Sequence, residues 1–291
     1  REGDRYALTP DFRVLDEGEA GLVRRRVLAR VLEEFYNRLD TGRELLADTL
    51  GAGRDDSRLA ELVLEVYGKL QSHADPDRWL AESRDGWAHL GGGFDGTPYA
   101  KELLVSVGRK ARHWGELLRR AAVRTEGDSA LSAGYGEKFL TAAWGFQALE
   151  KAKTWEAARQ AAFKVEFPRL STPKGRKDDP DVTALKQVWD SCKAETKKIL
   201  SLLDVSGEEA MEDLRAVAPA MEALLELTGD FGQAYRIEKL RVNAADFSDQ
   251  EHLALQMLVG ENGSPTELGE QVAARYREVL VDEYQDTNEV Q

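Results

Sequence analysis

Apolar residues recur every three to four positions through most of this chain, with polar residues filling the gaps, so the pattern predicts a succession of amphipathic helices. Asp16 with Glu19 makes a capping pair, followed by Ala20, Val23, Val27, Leu28, Val31, Phe35 and Tyr36 on a helix that ends before Gly42. Residues 1–15 lack periodicity and read as an extended lead-in. A short helix over 43–50 is expected to stop at Gly51-Ala52-Gly53, and Leu59, Leu62, Val63, Val66, Tyr67 and Leu70 predict another over 57–71. Asp75-Pro76 starts a turn around Trp79 and Leu80. Gly91-Gly92-Gly93-Phe94-Asp95-Gly96 reads as a linker, because no Lys-Ser/Thr follows it as a phosphate loop requires. Thr97-Pro98 opens a long helix to about Thr125 on Leu104, Val107, Ala111, Trp114, Leu118 and Ala121.

A Gly- and Ser-containing break over 127–136 leads to helices over 137–151 and 154–164. Their Trp144, Phe146, Trp155 and Phe163 are read as core residues rather than base-stacking platforms. Three prolines and a glycine forbid a helix through 167–180, which reads as a mobile loop. Helical spacing resumes over 181–204 through Val182, Leu185, Trp189, Cys192 and Ile199. Ser206 with Glu209 caps the next helix, expected to run towards Arg241 with a kink at Pro219 and loosening at Gly229 and Gly232. Asp246 begins a further helix, and Ser264-Pro265-Thr266-Glu267 places Ser at an N-cap with Pro at the first helical position, on a helix reaching about Tyr276. No repeat of fixed period appears, so the helices predict an irregular domain rather than a solenoid.

The pattern changes at the end of the chain. Val279-Leu280-Val281 followed by Asp282-Glu283 reads as a buried parallel strand with acids at its carboxyl end, where open α/β sheets bind ligands. This is a Walker B layout, in which Asp282 holds Mg²⁺, Glu283 polarises the attacking water and Gln285 senses the γ-phosphate. Taken alone, the run would more often be an ordinary strand or helix end with solvated acids.

The longer stretch Asp282-Glu283-Tyr284-Gln285-Asp286-Thr287-Asn288, with Gln291 three residues on, resembles motif II of the UvrD/Rep-type superfamily 1 DNA helicases. Asp246-Phe247-Ser248-Asp249 and Tyr276-Arg277-Glu278 resemble the approach to motif II in the same helicases. Asp11-Phe12-Arg13-Val14-Leu15-Asp16-Glu17 and Pro76-Asp77-Arg78-Trp79-Leu80 are similar to one branch, the AddA component of AddAB-type helicase-nucleases. The resemblance is sharp at both ends; residues 85–235 match as a helical pattern with few fixed residues. Gln250 departs from it, standing where the family usually has Leu.

The resemblance implies a mainly α fold: an irregular multi-helix accessory domain, 1B, with a short C-terminal β-strand that belongs to a RecA-like α/β motor core otherwise absent, so that residues 279–281 are expected to be frayed, paired with a second copy or rebuilt into the preceding helix. The expected division is a lead-in over 1–15, the accessory domain over 16–245, and a return to the core over 246–291. It further implies a parent that hydrolyses ATP with Mg²⁺, translocates 3′-to-5′ on DNA, pairs with an AddB-like partner and serves double-strand break repair. The parent would meet single-stranded DNA and a duplex junction. The nearest alternative is a UvrD- or PcrA-like helicase that works as a single polypeptide. No Gly-x-x-x-x-Gly-Lys-Ser/Thr occurs in the chain, which begins at Arg1 and stops just after motif II. It is therefore expected to be a piece of a larger protein, without ATPase or nuclease activity of its own.

Composition adjusts this picture in two places. The net charge of −13 argues against the whole surface contacting nucleic acid, because non-specific binding comes from Lys and Arg on phosphates. Cations are concentrated instead. Arg109, Lys110, Arg112, Arg119, Arg120 and Arg124 face the single Glu116, and Lys164, Arg169, Lys174, Arg176 and Lys177 crowd the irregular loop. Arg109, Lys110, Arg112, Arg169, Lys174, Arg176 and Lys177 are the DNA-contact candidates, against the alternative of a helical protein-interaction module with no nucleic-acid role. Arg24, Arg25, Arg26 and Arg30 read as a solvated face paired with acids, with phosphate contact as the other reading. A lone Cys192 rules out an internal disulfide, the four His lack metal-ligand spacing, and no apolar run is long enough for a membrane span, so a cytoplasmic protein is expected.

Overall fold

The computed structural model describes residues 8–9, 11–38, 40–50, 57–260 and 262–291. The expected helix stop at Gly51-Ala52-Gly53 lies outside them. Most elements begin where a side chain satisfies the free N–H groups of a first turn. Strand β1 (Arg13–Val14) leads to α1 (Glu17–Tyr36), where Asp16 and Glu19 form the reciprocal capping box. Helices α2 (Thr41–Leu50), α3 (Ser57–Gln71) and α4 (Pro76–Ala88) follow, the last with Asp75 at its N-cap and Pro at its start.

Thr97 caps α5 (Pro98–Val123). The break expected over 127–136 is instead helical: α6 (Ser129–Leu131) runs through a π-type turn over Ser132–Gly136 into α7 (Glu137–Glu150). Thr154 caps α8 (Trp155–Phe163) and Asp179 caps α9 (Pro180–Leu202). Helix α10 (Gly207–Arg241) is uninterrupted through Pro219. Its glycines are sites of close packing, not of loosening: a Cβ on Gly229 would lie 2.9 Å from Leu80 Cδ2, and one on Gly232 would lie 3.2 Å from the Tyr67 ring.

Strand β2 (Ala244–Ala245) pairs in parallel with β1, which ties the lead-in to the far end of the chain. Asp246 and Asp249 box the start of α11 (Phe247–Leu258). The start of α12 (Glu267–Ala273) departs from expectation, because Thr266 rather than Ser264 is its N-cap. Pro265 is drawn into an antiparallel bridge with Val259, which removes 264–265 from the helix.

Packing groups the chain into two compact units. One unit comprises Arg1–His89 with Val217–Gln291, and the other Leu90–Ala216. The first has a core of Val27, Val31, Phe35, Leu59, Val63, Leu227, Phe231 and Tyr235. The second buries Val107, Leu118, Tyr135, Phe139, Phe146, Trp155, Leu185, Trp189 and Ile199. Cys192 is fully buried in the second, and burial pushes its thiol up to about 12.

Val279-Leu280-Val281 is unpaired, one of the outcomes expected of a strand without partners in the chain. Those residues have no ladder partner, and Leu280 is 91% exposed. A strand is stable only when its backbone groups pair, and the one sheet among the described residues is the two-residue β1–β2 pair. No described helix is long and apolar enough to cross a membrane.

Candidate functional site: the C-terminal acidic segment and two charged clusters

Residues 282–291 lie on the surface of the first unit. Asp282, Glu283 and Gln285 are exposed. Asp282 Oδ1 accepts from the Glu283 N–H at 2.9 Å, and Gln285 Nε2 donates to the Glu283 carboxylate. Glu283 adopts φ 50°, a left-handed conformation uncommon outside glycine. Two contacts hold the segment after it. His73 Nδ1 lies 2.8 Å from Glu289 Oε2, and Gln291 Nε2 donates to Glu251 Oε1 at 2.9 Å. The contact with His73 holds the Glu289 carboxyl below its ordinary value. Hard carboxylate oxygens at 282 and 283 suit Mg²⁺ by their chemistry. No group of three or more ligating side chains with metal-site geometry occurs among the described residues.

The first unit also contains a buried charge cluster that the sequence pattern does not announce. Lys239, 3% exposed, places its Nζ 3.1 Å from Asp246 Oδ2 and 2.5 Å from Asp249 Oδ2, and 4.3 Å over the Tyr235 ring. Tyr235 Oη donates to Asp246 Oδ2 at 2.9 Å. Burial opposes ionisation of both carboxyls. It prevails at Asp249, which is raised, whereas at Asp246 the ammonium, the Asp249 N–H and the two donor side chains hold the carboxyl low. One signal of it is present in sequence: Phe231, Tyr235 and Lys239 share the spacing of one buried stripe. Lys239 and Asp249 face a cavity of about 480 Å³ in this unit, with Arg236, His252 and Tyr67 also on its wall.

Within the second unit, the DNA-contact candidates divide into two groups. Lys110 is 3.0 Å from Glu195, Arg112 is 2.7 Å from Glu150, and Arg176 binds both Asp128 and Asp179. These three staple neighbouring elements together. Arg109, Arg169, Lys174 and Lys177 are exposed and make no ion pair among the described residues. The loop that carries four of the seven candidates is tied down at several points. Ser171 N donates to Gly134 O at 3.3 Å, Lys138 Nζ donates to Ser171 Oγ at 2.9 Å, and Tyr135 and Thr172 share a hydrogen bond of 2.9 Å. Phe167 packs edge-on against Trp189.

Two of the four aromatics expected in the core are not there. Phe146 and Trp155 are buried, but Trp144 is 60% and Phe163 55% exposed. On α7 the buried side is filled by Phe139, Ala142, Ala143, Phe146 and Leu149, and Trp144 falls on the opposite side of the helix. Arg159 lies 5.5 Å over the Phe163 ring.

The UvrD/REP helicase N-terminal domain matches residues 12–291 of the chain. The chain is 34% identical to the AddA-type component of an ATP-dependent helicase/nuclease from Desulforudis audaxviator, over 98% of this chain and 24% of that protein. It is 30% identical to the protein of the same name from Clostridium kluyveri, over 99% of this chain and 24% of the relative. A third protein of that name, from Pelotomaculum thermopropionicum, is 32% identical over 99% of this chain and 23% of its own length. The chain thus spans about a quarter of the length of the curated relatives it matches.

Proposed function

From the premise that this chain belongs to the UvrD/REP helicase N-terminal domain family, we propose that it is the accessory helical region and motif II segment of an AddA-type ATP-dependent DNA helicase-nuclease. The observation that carries this reading is the ordered run Val279 to Gln291, in a chain whose relatives are named as components of an ATP-dependent helicase/nuclease. In the whole protein, residues 279–281 would complete a strand of a RecA-like core. Asp282 would hold Mg²⁺, which when bound neutralises phosphate charge. Glu283 would take a proton from the attacking water, and Gln285 would sense the γ-phosphate. The helical region would guide DNA through Arg109 and the loop cations, in an enzyme that moves 3′-to-5′, pairs with an AddB-like partner and serves double-strand break repair. Residues 16–245 are the accessory domain in this reading, and 246–291 the return to the core. The chain alone would not hydrolyse ATP, because it contains no phosphate-binding loop sequence.

The test is DNA-stimulated ATP hydrolysis by the full-length protein carrying Glu283→Gln or Asp282→Ala. A loss of about 10²–10⁴-fold is expected from removing the water-activating group. Retained turnover in either variant overturns the assignment. The ion pairs that occupy Lys110, Arg112 and Arg176 favour a second reading, a helical module that docks a protein and leaves DNA to other parts of the enzyme. Reversing the charges at 109, 169, 174 and 177, which make no ion pair among the described residues, separates the two: forked-DNA binding by the full-length protein weakens in the first and is unchanged in the second.

A further inference from the structure

The second unit presents an aromatic side chain that its core does not use. Trp144 stands 60% exposed on the outward side of α7, with Leu140 one turn before it 37% exposed. An indole left in water forgoes the burial that usually retains so large an apolar side chain, and the exposed ring surface is available for stacking.

What lies beside Trp144 follows from the packing of α7 on α5. A methyl group placed on Gly115 would lie 3.3 Å from Phe146 Cβ and 3.8 Å from the Ala143 carbonyl; one on Gly108 would lie 3.8 Å from the Glu150 carbonyl. The two helices are therefore antiparallel and in close contact at both glycines, and their outward faces adjoin. The Arg119 guanidinium lies over this seam, 3.7 Å from the same Gly115 methyl position, and Ala143 is the residue before Trp144. Neither Arg119 nor Arg109 makes an ion pair among the described residues. Arg120 has only Glu116 at 3.9 Å, the one acid within the turns between Arg109 and Arg120. Arg109 and Arg119 are ten residues apart, about 15 Å along the helix, a span of a few nucleotides.

We propose that this face of α5 and α7 binds a single strand of nucleic acid, Trp144 stacking on an unpaired base while Arg109 and Arg119 take flanking phosphates. The proposal rests on the reading that the helical region contacts DNA, and deepens it by naming the strand state and the stacking residue. Unpaired cations in an acidic chain select a polyanion over a neutral or basic partner, and an exposed ring pairs with a base only where that base is unstacked. A duplex, whose base faces are hidden, gains only the phosphate contacts.

Anisotropy titrations of this chain with labelled oligothymidine, an abasic strand of equal length and a duplex test the proposal. The proteins compared are wild type, Trp144→Ala, Trp144→Phe and the double variant Arg109→Glu/Arg119→Glu. Trp144→Ala is expected to weaken oligothymidine binding about tenfold. It should leave the abasic strand and the duplex unchanged, and Trp144→Phe should recover most of the loss. The double arginine reversal is expected to weaken all three ligands and to flatten the salt dependence by about one contact per arginine. Because Trp144 is exposed, its variants should melt with the wild type. Unchanged oligothymidine affinity in Trp144→Ala, with the arginine effect intact, overturns the stacking seat and leaves the DNA-guide reading standing. Absence of binding to any strand at low salt overturns both and assigns the face to a protein partner.

Discussion

The ammonium of Lys239 lies 3.1 Å from Asp246 Oδ2 in a site where neither side chain is more than a tenth exposed. Asp246 is at once the N-cap of α11 and an acceptor for Tyr235, so one carboxylate joins the end of α10, the start of α11 and the turn at β2. Removing one partner of a buried ion pair strands the other's charge. Lys239→Met is expected to destabilise the first unit by about 3–5 kcal/mol. Urea denaturation with a probe in that unit measures it, and a loss within experimental scatter would mean that the cluster is incidental.

Gln250 offers the opposite case. Its Nε2 is buried with no hydrogen-bond partner among the described residues. An unsatisfied buried amide costs about 1–3 kcal/mol. Gln250→Leu should therefore raise the melting temperature, and a drop would show that the amide has a partner in solution.

Acid should loosen the basic loop. Asp128 is held below its ordinary value first by the Leu131 N–H and then by Arg176, and Asp179 first by the Arg176 guanidinium and then by the Asp181 N–H. A folded pKa below the unfolded one means that the native state binds fewer protons. The contribution is thus present above the unfolded value near pH ~4 and is lost as pH falls through the depressed values. The gap in urea midpoint between wild type and Arg176→Met should narrow between about pH 6 and about pH 3. A gap independent of pH would detach Arg176 from the carboxylates.

The same loop is seated on backbone. A Cβ on Gly134 would lie 2.3 Å from the Ser171 carbonyl oxygen, whereas one on Gly229 meets only the end of the Leu80 side chain. Gly134→Ala should cost about 1–3 kcal/mol, because the loop must shift. Gly229→Ala should cost less, and equal losses in thermal melts would contradict the distinction.

These residues mark what is legible in the sequence. The capping pairs Asp16–Glu19 and Ser206–Glu209 act over three residues, and each forms as the spacing predicts; α11 likewise begins at Asp246 as expected, with Asp249 closing the box. The start of α12 is not legible in the same way, because the Val259–Pro265 bridge, a tertiary contact, overrides a strong local signal. Charge counting along α5 locates its cations but not their partners, since Glu150, Asp181 and Glu195 come from α7 and α9. Residue type alone assigns Trp144 to the core, although its position on the α7 wheel places it outside. The unpaired state of residues 279–281 is legible as well: a ladder needs a neighbour, and they have none among the described residues.

The single cysteine bears on how such questions can be put to the molecule. Cys192 is fully enclosed in the core of the second unit, and its thiol is far from ionising at neutral pH. Alkylating reagents therefore reach it only when that core opens, so its labelling rate is a built-in clock for local unfolding. A cysteine introduced at an exposed position such as 109 or 174 would react orders of magnitude sooner. The chain accepts a site-specific dye without first being stripped of its own thiol, and the native thiol reports whether the dye has disturbed the fold.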